Sequence, residues 1–582
     1  MFAQIKRINR RFKQNADTFR HSLSYIEALP QLALLGLIVG LFTAGVIALF
    51  RFTIDICLSI LLPEHNDNFE ALSSAEISGL IASGAAVIYL ILRLAGPSGR
   101  SVGVSHVLLH VHQFQGVMPA RNWFTQFFGA AVAMISGQSV GREGPTVHLG
   151  AGAASLFGAW LKLPRNSLNT LVGCGVAAAI SASFNTPMAG VIFAMEVILM
   201  EYTVVGFAPV ILASVTSAAL TRTLFPGADL VISSDATLTS MLELPLLFAF
   251  GLVIAIFAGL FIKLHLRVVA FQNLPLSLRI GLAAVINIAA SLVVPQTMGL
   301  GYDTLNAAMM EQLAIGTLLL ICIVKLSTAG IGIGLGIPGG LIGPSLLSGA
   351  CLGGAIGAIA NIVFPGLELQ PSFYVMLGMA GMMGAAINAP LAALVAVLEL
   401  TYNPHVIFPS MLVIVVACIC TRWLFGYEGI FHEQLKAKGQ SIVVEPTRKS
   451  LQRLGVRSAM VSTFECCPVE LDYESARELL KSSPTWLVVE QDKSRTAIRA
   501  ANLATWLENN PESALKLEEK IDLFAIPADR LKLSAISENA SLWEASAALK
   551  TQDVEALWVM KSYSSAIAGI LTQEELKNVY VN

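Results

Sequence analysis

The feature that most constrains this chain is a duplication. Gly144-Pro145 with Gly150-Ala151 returns as Gly343-Pro344 with Gly349-Ala350 at an offset of 199 residues. Gly175, Asn185-x-Pro187 and Glu196 return as Gly378, Asn388-x-Pro390 and Glu399 at an offset of 203. Both copies lie in apolar, small-residue sequence, and such internal repetition is how many membrane proteins bring helix ends together at a midplane site. If each half crosses the bilayer an odd number of times, the halves run in opposite directions. The duplication therefore predicts an all-α polytopic membrane protein of two inverted helical repeats, with half-length and tilted helices.

Composition agrees. Of the 582 residues 55% are apolar and 13% charged, with 47 glycines and a mean hydropathy of +0.68. Crossing a bilayer takes about 20 apolar residues. Leu32 to Leu62, Leu246 to Leu266, Ile315 to Ile333 and Val375 to Leu400 are among the segments on offer. Several others are too short, too long or broken by Gly-Pro, which suits helices buried in protein better than a simple serpentine.

Lys6, Arg7, Arg10, Arg11, Lys13 and Arg20 precede the first span and place the N-terminus in the cytoplasm. Polar, basic sequence after the last span puts the C-terminus there as well, in a multi-pass protein of a cell inner or plasma membrane. Met1 to Tyr25 lacks the apolar core of a cleaved leader. The expected organisation is a basic N-terminus (1–31), a membrane domain (32–435), a linker (436–455) and a soluble region (456–582). The membrane domain divides into repeats of about 32–225 and 240–435, joined through the polar stretch Gly227 to Thr239. Two units of strand, helix, strand, strand, helix are legible in the soluble region, one from Val456 to Leu507 and one from Leu533 to Leu576, so a small α/β pair is expected. Eight cysteines show no metal-ligand spacing, and they read as reduced, mostly buried small hydrophobes.

The duplicated Gly-Pro starts carry chemistry. A small anion buried in protein must be compensated, because an isolated charge in low dielectric is very costly. Helix N-termini offer free N–H groups and about half a positive charge without the grip of a full cation. Glycine exposes those amides, and proline in the first turn gives up only a donor that had no partner. Gly141-Arg142-Glu143-Gly144-Pro145 and Gly340-Leu341-Ile342-Gly343-Pro344 both have this form, and Glu143 sets an ionisable carboxylate at the first of them.

These residues, with Phe184-Asn185-x-Pro187-x-Ala189-Gly190 and Gly336-x-Pro338-Gly339-Gly340-x-x-x-Pro344, resemble the signatures of the CLC chloride channels and proton/chloride antiporters. The resemblance covers nearly the whole chain, since the soluble units resemble a tandem CBS module. It implies a homodimer with one anion pathway per subunit, chloride or a similar small inorganic anion as substrate, a lipid membrane as setting and no nucleic-acid partner. Glu143 matches the gating glutamate. The amides of Gly141, Arg142 and Glu143, and of Leu341 and Ile342, match the backbone anion donors.

Three departures from the family pattern stand out. The first signature appears as Ser101-Val102-Gly103-Val104-Ser105, so Val102 takes the place of the anion-touching serine unless a one-residue shift lets Ser101 serve. Phe431 matches the pore tyrosine and has no hydroxyl. Val197 falls where antiporters carry a second, intracellular-facing glutamate, with Glu196 beside it. On that last substitution the expectation is a glutamate-gated passive channel, with a proton-coupled antiporter as the alternative and Glu196 or Glu201 as the first suspects for another relay.

Other polar residues get plainer readings. Lys325, inside an apolar span, needs a partner, either Glu399 or a carbonyl cluster. His106, His110 and His112 lack the acidic or thiol companions of a metal site, no metal is expected, and His148 reads as a packed polar residue. In the second soluble unit Thr572-x-x-Glu575 stands where nucleotide-binding CBS units hold a ribose, and Arg499-x-x-Asn502 is its counterpart in the first. An adenine nucleotide is one option there; a purely structural, dimer-stabilising module is the other. No nucleophile and base pair, metal cluster or phosphate loop supports an enzyme, and no further ligand-binding domain supports a receptor.

Overall fold

The computed structural model describes residues 18–20, 22–24, 28–62, 68–225, 236–440, 442, 446–491, 494–510, 520–561 and 566–581. Lys6, Arg7, Arg10, Arg11 and Lys13, and most of the expected joint between the repeats, lie outside them.

Leu32–Trp160 and Leu168–Val443 form one compact unit, and it is helical. Its first half runs through helices Leu29–Leu61, Ser74–Gly99, Val104–Gln113, Ala120–Ile135, Glu143–Trp160, Arg165–Phe184, Pro187–Phe193 with a π turn to Leu199, and Val204–Leu224. The second half answers in the same order with Leu244–Val269, Leu276–Val293, Tyr302–Met309, Ile315–Leu335, Ile342–Val363, Pro371–Ile387, Pro390–Thr401 and Ile407–Phe425. Short members such as Val104–Gln113 and Tyr302–Met309, at 10 and 8 residues, cannot cross a bilayer alone and end inside the protein.

The repeated glycines sit at close contacts. The Glu143–Trp160 and Arg165–Phe184 helices cross where a Cβ on Gly150 would stand 2.3 Å from the Gly175 carbonyl oxygen, and one on Gly175 2.2 Å from that of Gly150. The second repeat makes the same crossing at Gly349 and Gly378, with distances of 2.2 and 2.1 Å. Backbone thus packs on backbone, the close approach that small residues permit between membrane helices. Asn185 and Asn388 each end a helix in the left-handed region, at φ 60° and 61°, where asparagine is tolerated better than most residues. Pro187 and Pro390 then open the next helix.

The two glutamates of the duplication serve across it. Glu399 accepts the Met188 and Ala189 N–H groups of the first repeat at 3.0 and 2.8 Å. Glu196 accepts those of Leu391 and Ala392 in the second at 3.2 and 2.7 Å. Each repeat therefore caps a helix start in the other. Glu399 is committed to this cap and is not the partner of Lys325. The fully buried Lys325 ammonium donates instead to the carbonyls of Thr297 and Gly299 at 2.9 and 2.8 Å, the carbonyl alternative of the sequence reading.

The other unit gathers the described residues up to Gln31, Leu161–Ser167 and those after Val444. Phe464–Cys467 (β1), Trp486–Gln491 (β2), Ser494–Arg499 (β3), Arg530–Ser537 (β4), Ala556–Met560 (β5) and Ile567–Thr572 (β6) form a mixed six-stranded sheet in that order. Parallel pairing of β1 with β2 and of β4 with β5, each across a helix, gives two like halves joined by antiparallel β3 and β4. Val456 begins a 3-10 turn and not the expected strand, which starts eight residues later at Phe464. The 436–455 stretch, read as linker, holds the helix Pro446–Gln452, whose Leu451 is buried with Leu542, Leu549 and Leu557. Leu161–Ser167, between two membrane helices in sequence, joins this unit through the Arg165 N–H to the Asn539 carbonyl at 3.0 Å and an Arg165–Glu544 ion pair.

All eight cysteines are free thiols. In strand β1 Cys466 faces solvent and Cys467 is buried, where burial pushes its thiol up to about 12.

Gly349→Val should strain the helix crossing by about 3 kcal/mol or more, since overpacking already costs 1–3 kcal/mol where flexible side chains can yield and here a carbonyl stands in the way. A lower unfolding temperature and a lost monodisperse peak in detergent chromatography are expected. Gly316→Val, where nothing lies within 4 Å of an added Cβ, should behave as the parent does in both measurements.

Candidate anion site at two facing helix starts

The two Gly-Pro starts meet directly. Gly141 N–H donates to the Gly340 carbonyl at 2.8 Å and Gly340 N–H to that of Gly141 at 2.9 Å, an antiparallel bridge between residues equivalent by the duplication. Contact this close excludes side chains: a Cβ on Gly340 would stand 2.6 Å from the Gly144 nitrogen, and one on Gly144 2.8 Å from the Gly340 Cα.

The bridge holds Glu143, first residue of its helix, against the start of the other repeat's helix. Its side chain is buried, with 1% exposure. One carboxylate oxygen accepts the Gly343 N–H at 2.9 Å; the other accepts the Tyr302 hydroxyl at 3.0 Å. A buried carboxylate left alone would cost several kcal/mol, and here the N-terminal end of Ile342–Val363 compensates it. A Cβ at Gly141 or Gly343 would come within 2.2 or 2.7 Å of the same carboxylate oxygen, so a side chain there would displace the carboxylate from this position. Tyr302 was not singled out in the sequence. Only its place at the start of a short helix, after the left-handed Gly301, marks it.

Arg142 points away from that carboxylate. Its guanidinium donates to the Ser183 carbonyl at 2.7 Å and lies 5.0 Å from the Tyr302 ring centroid. Leu341 caps the second helix and Ile342 opens it, both buried. Next to Glu143 and Ile342 lies a small cavity with a mainly apolar wall that includes Ile180, Phe184, Phe193, Leu346 and Leu400. Such a wall offers a charge little compensation, so the helix starts are the candidate place for an anion.

The remaining expected site residues sit apart from this cavity. Ser101 and Val102 form the half-buried approach to the Val104–Gln113 helix, and the Ser101 carbonyl accepts the Asn122 amide at 2.8 Å. Phe431 is buried in the first turn of Ile430–Ala437. The Ser105 hydroxyl donates to Gln434 at 2.5 Å and lies 3.5 Å from the Phe431 carbonyl. Neither Ser101 nor Val102 makes that contact, and the sequence reading passed Ser105 over.

Val197 is buried in the π turn beside Glu196. Glu201, the other suspected relay, accepts the Thr203 hydroxyl at 3.1 Å. His106 Nδ1 lies 3.0 Å from His148 Nε2, and His112 Nε2 2.9 Å from the Ile198 carbonyl. In the soluble unit Glu575 accepts the Thr572 N–H at 2.7 Å and the Thr572 hydroxyl, while the Glu575 N–H returns to that hydroxyl at 3.3 Å. This reciprocal box caps the last helix. Arg499 pairs with Glu574.

Two inverted repeats whose helix starts converge on one buried carboxylate define a membrane protein that handles small anions. Residues 84–422 match the model of the voltage gated chloride channel family, and the chain belongs to that family. It is 30% identical over 311 residues to a putative chloride channel protein ClcB-like of Ralstonia nicotianae, covering 52% of this chain and 72% of the relative. It is 28% identical over 369 residues to the H(+)/Cl(-) exchange transporter ClcA of Vibrio cholerae, covering 60% and 77%. Among solved structures, a slow cyanobacterial Cl-/H+ antiporter superposes with a TM-score of 0.63 at 19% identity, over 70% of this chain and 97% of that one. A eukaryotic CLC transporter superposes with 0.59 at 18% identity, over 94% and 97%.

Removing the Tyr302 hydroxyl leaves Glu143 with one fewer donor. Hydrogen bonds to charged groups contribute about 1.5–3 kcal/mol, so Tyr302→Phe should free the carboxylate and raise chloride flux about ten-fold or more at neutral pH. Liposome efflux measures it, and flux at the parental level would mean that the Gly343 amide alone holds Glu143.

Proposed function

We propose that the protein is a proton-coupled chloride antiporter gated by Glu143. The observation that carries this reading is the place of the Glu143 carboxylate. It occupies the N-terminal end of the Ile342–Val363 helix, accepting an amide that an anion would otherwise use. Protonation cancels the charge that holds it there, so proton uptake and anion entry become alternatives at one position. The names of the exchange transporters among the relatives weigh the same way.

Val197 supports the passive channel as a second reading, since a valine cannot relay a proton. For the antiporter, the proton must leave by another route. By family resemblance we also take the protein to be a homodimer with one pathway per subunit, both termini cytoplasmic, and its α/β unit to be a CBS pair that tunes transport without forming the path. An adenine nucleotide at Thr572 and Glu575 would have to share those groups with the helix cap, which favours a structural role for the module.

Reconstituted in liposomes under a chloride gradient, the full chain should move protons uphill at a fixed ratio to chloride. Glu143→Gln should keep chloride flux, lose proton counterflux and flatten the pH dependence. Chloride flux in the parent with no proton movement would establish the channel instead.

A further inference from the structure

Arg142 faces a second, small cavity, whose polar wall consists of Arg51, Asp55, Arg142, Thr146 and Ser183, with Ile47, Phe50, Ile54, Met134 and Leu300 as the apolar remainder. Arg51 and Asp55 stand one turn apart on Leu29–Leu61, with Arg51 Nε 3.5 Å from a carboxylate oxygen. The Asp55 side chain is 53% exposed and that of Arg51 20%. Arg51 also lies 4.4 Å from the Phe225 ring centroid, which fixes its guanidinium.

Among the described residues that line it, charge does not balance: two guanidinium groups stand with one half-exposed carboxylate. The Nε of Arg142 is buried with no hydrogen-bond partner. An excess cation held partly out of water attracts a counter-ion, and the Ser183 hydroxyl on the same wall, buried without a partner, can donate to one. The cavity also leads somewhere: Arg142 is chain neighbour to Glu143, and the Tyr302 ring against its guanidinium carries the hydroxyl bound to Glu143.

We propose that the Arg51–Asp55–Arg142 cavity is a loading site for a small monovalent anion such as chloride, occupied before the anion replaces the Glu143 carboxylate. The Arg51–Asp55 pair sets its strength: Arg51 supplies charge, and Asp55 competes with the anion for it. This rests on the anion-transport reading but not on proton coupling.

Chloride efflux from liposomes holding the full-length protein, over a series of chloride concentrations, tests it by opposite shifts. Arg51→Gln should raise the half-saturating chloride concentration about five-fold, and Asp55→Asn should lower it about three-fold, as expected for one charge a few ångströms from the ion at an effective dielectric above 20. Maximal rates should stay near the parent's, and Arg51→Lys, which keeps the charge, should stay near the parental half-saturation. A merely structural Arg51–Asp55 pair would lower maximal rates in both neutral variants without opposite shifts, and that result overturns the loading site, as does an unchanged half-saturation. If Arg51→Gln does not fold, the Asp55→Asn shift and the Arg51→Lys control decide alone. A parent that carries no chloride would overturn the transport reading itself, whereas a parent that transports while the variants do not shift removes only the loading site.

Discussion

Everything in the membrane unit depends on a buried negative charge met by the end of a helix. Glu143 is buried, so peptide dipoles and N–H groups take over the role that water plays at the surface. That in turn requires two helices to begin at one spot, from opposite repeats, with their backbones touching. The Gly141–Gly340 bridge provides the contact, and the surrounding glycines make it sterically possible. An arginine or lysine aimed at the same position would hold an anion more tightly and release it more slowly. Here Arg142, next to Glu143 in the chain, is turned aside onto Ser183 and Tyr302.

The glycine crossings extend the same logic into the scaffold. Gly150 against Gly175 and Gly349 against Gly378 bring helices together at backbone distance. Lipid offers no hydrophobic drive to associate apolar helices, so dispersion across such contacts and buried hydrogen bonds must hold the bundle. Although some core polar groups, Arg142 Nε among them, have no hydrogen-bond partner, buried donors and acceptors generally find one. Lys325 on two carbonyls is the clearest example.

The sequence showed most of this framework because the duplication marks positions where only one residue type fits. Gly150, Gly175, Asn185 and Glu196 repeat since backbone approach, a left-handed turn and a helix cap each tolerate few alternatives. Glu143 was legible for the same reason, standing between glycines at a helix start. Tyr302 and Ser105 were not, because a tyrosine or serine in apolar sequence has no local signature of its partner, and those partners lie 159 and 329 residues away. Lys325 announced that it needed a partner but not which one. The helix Pro446–Gln452 and the place of Leu161–Ser167 with the soluble unit also escaped, as both depend on tertiary contacts of short polar segments. Val197 led the sequence reading to a passive channel. Its weight in choosing channel over exchanger is what the relatives' names count against.

The reciprocal caps of Glu196 and Glu399 bear on how the chain is made. While the first half alone is in the bilayer, the Met188 and Ala189 amides wait for a carboxylate that is still unsynthesised, about 210 residues downstream. At 5–20 residues per second, translation takes about 10 to 40 s to supply it. Until then the first repeat can only be a loosely assembled intermediate, with polar backbone facing lipid or a membrane chaperone. Native packing of either half is an event of the finished chain, and separately expressed halves would have to find one another before either could mature.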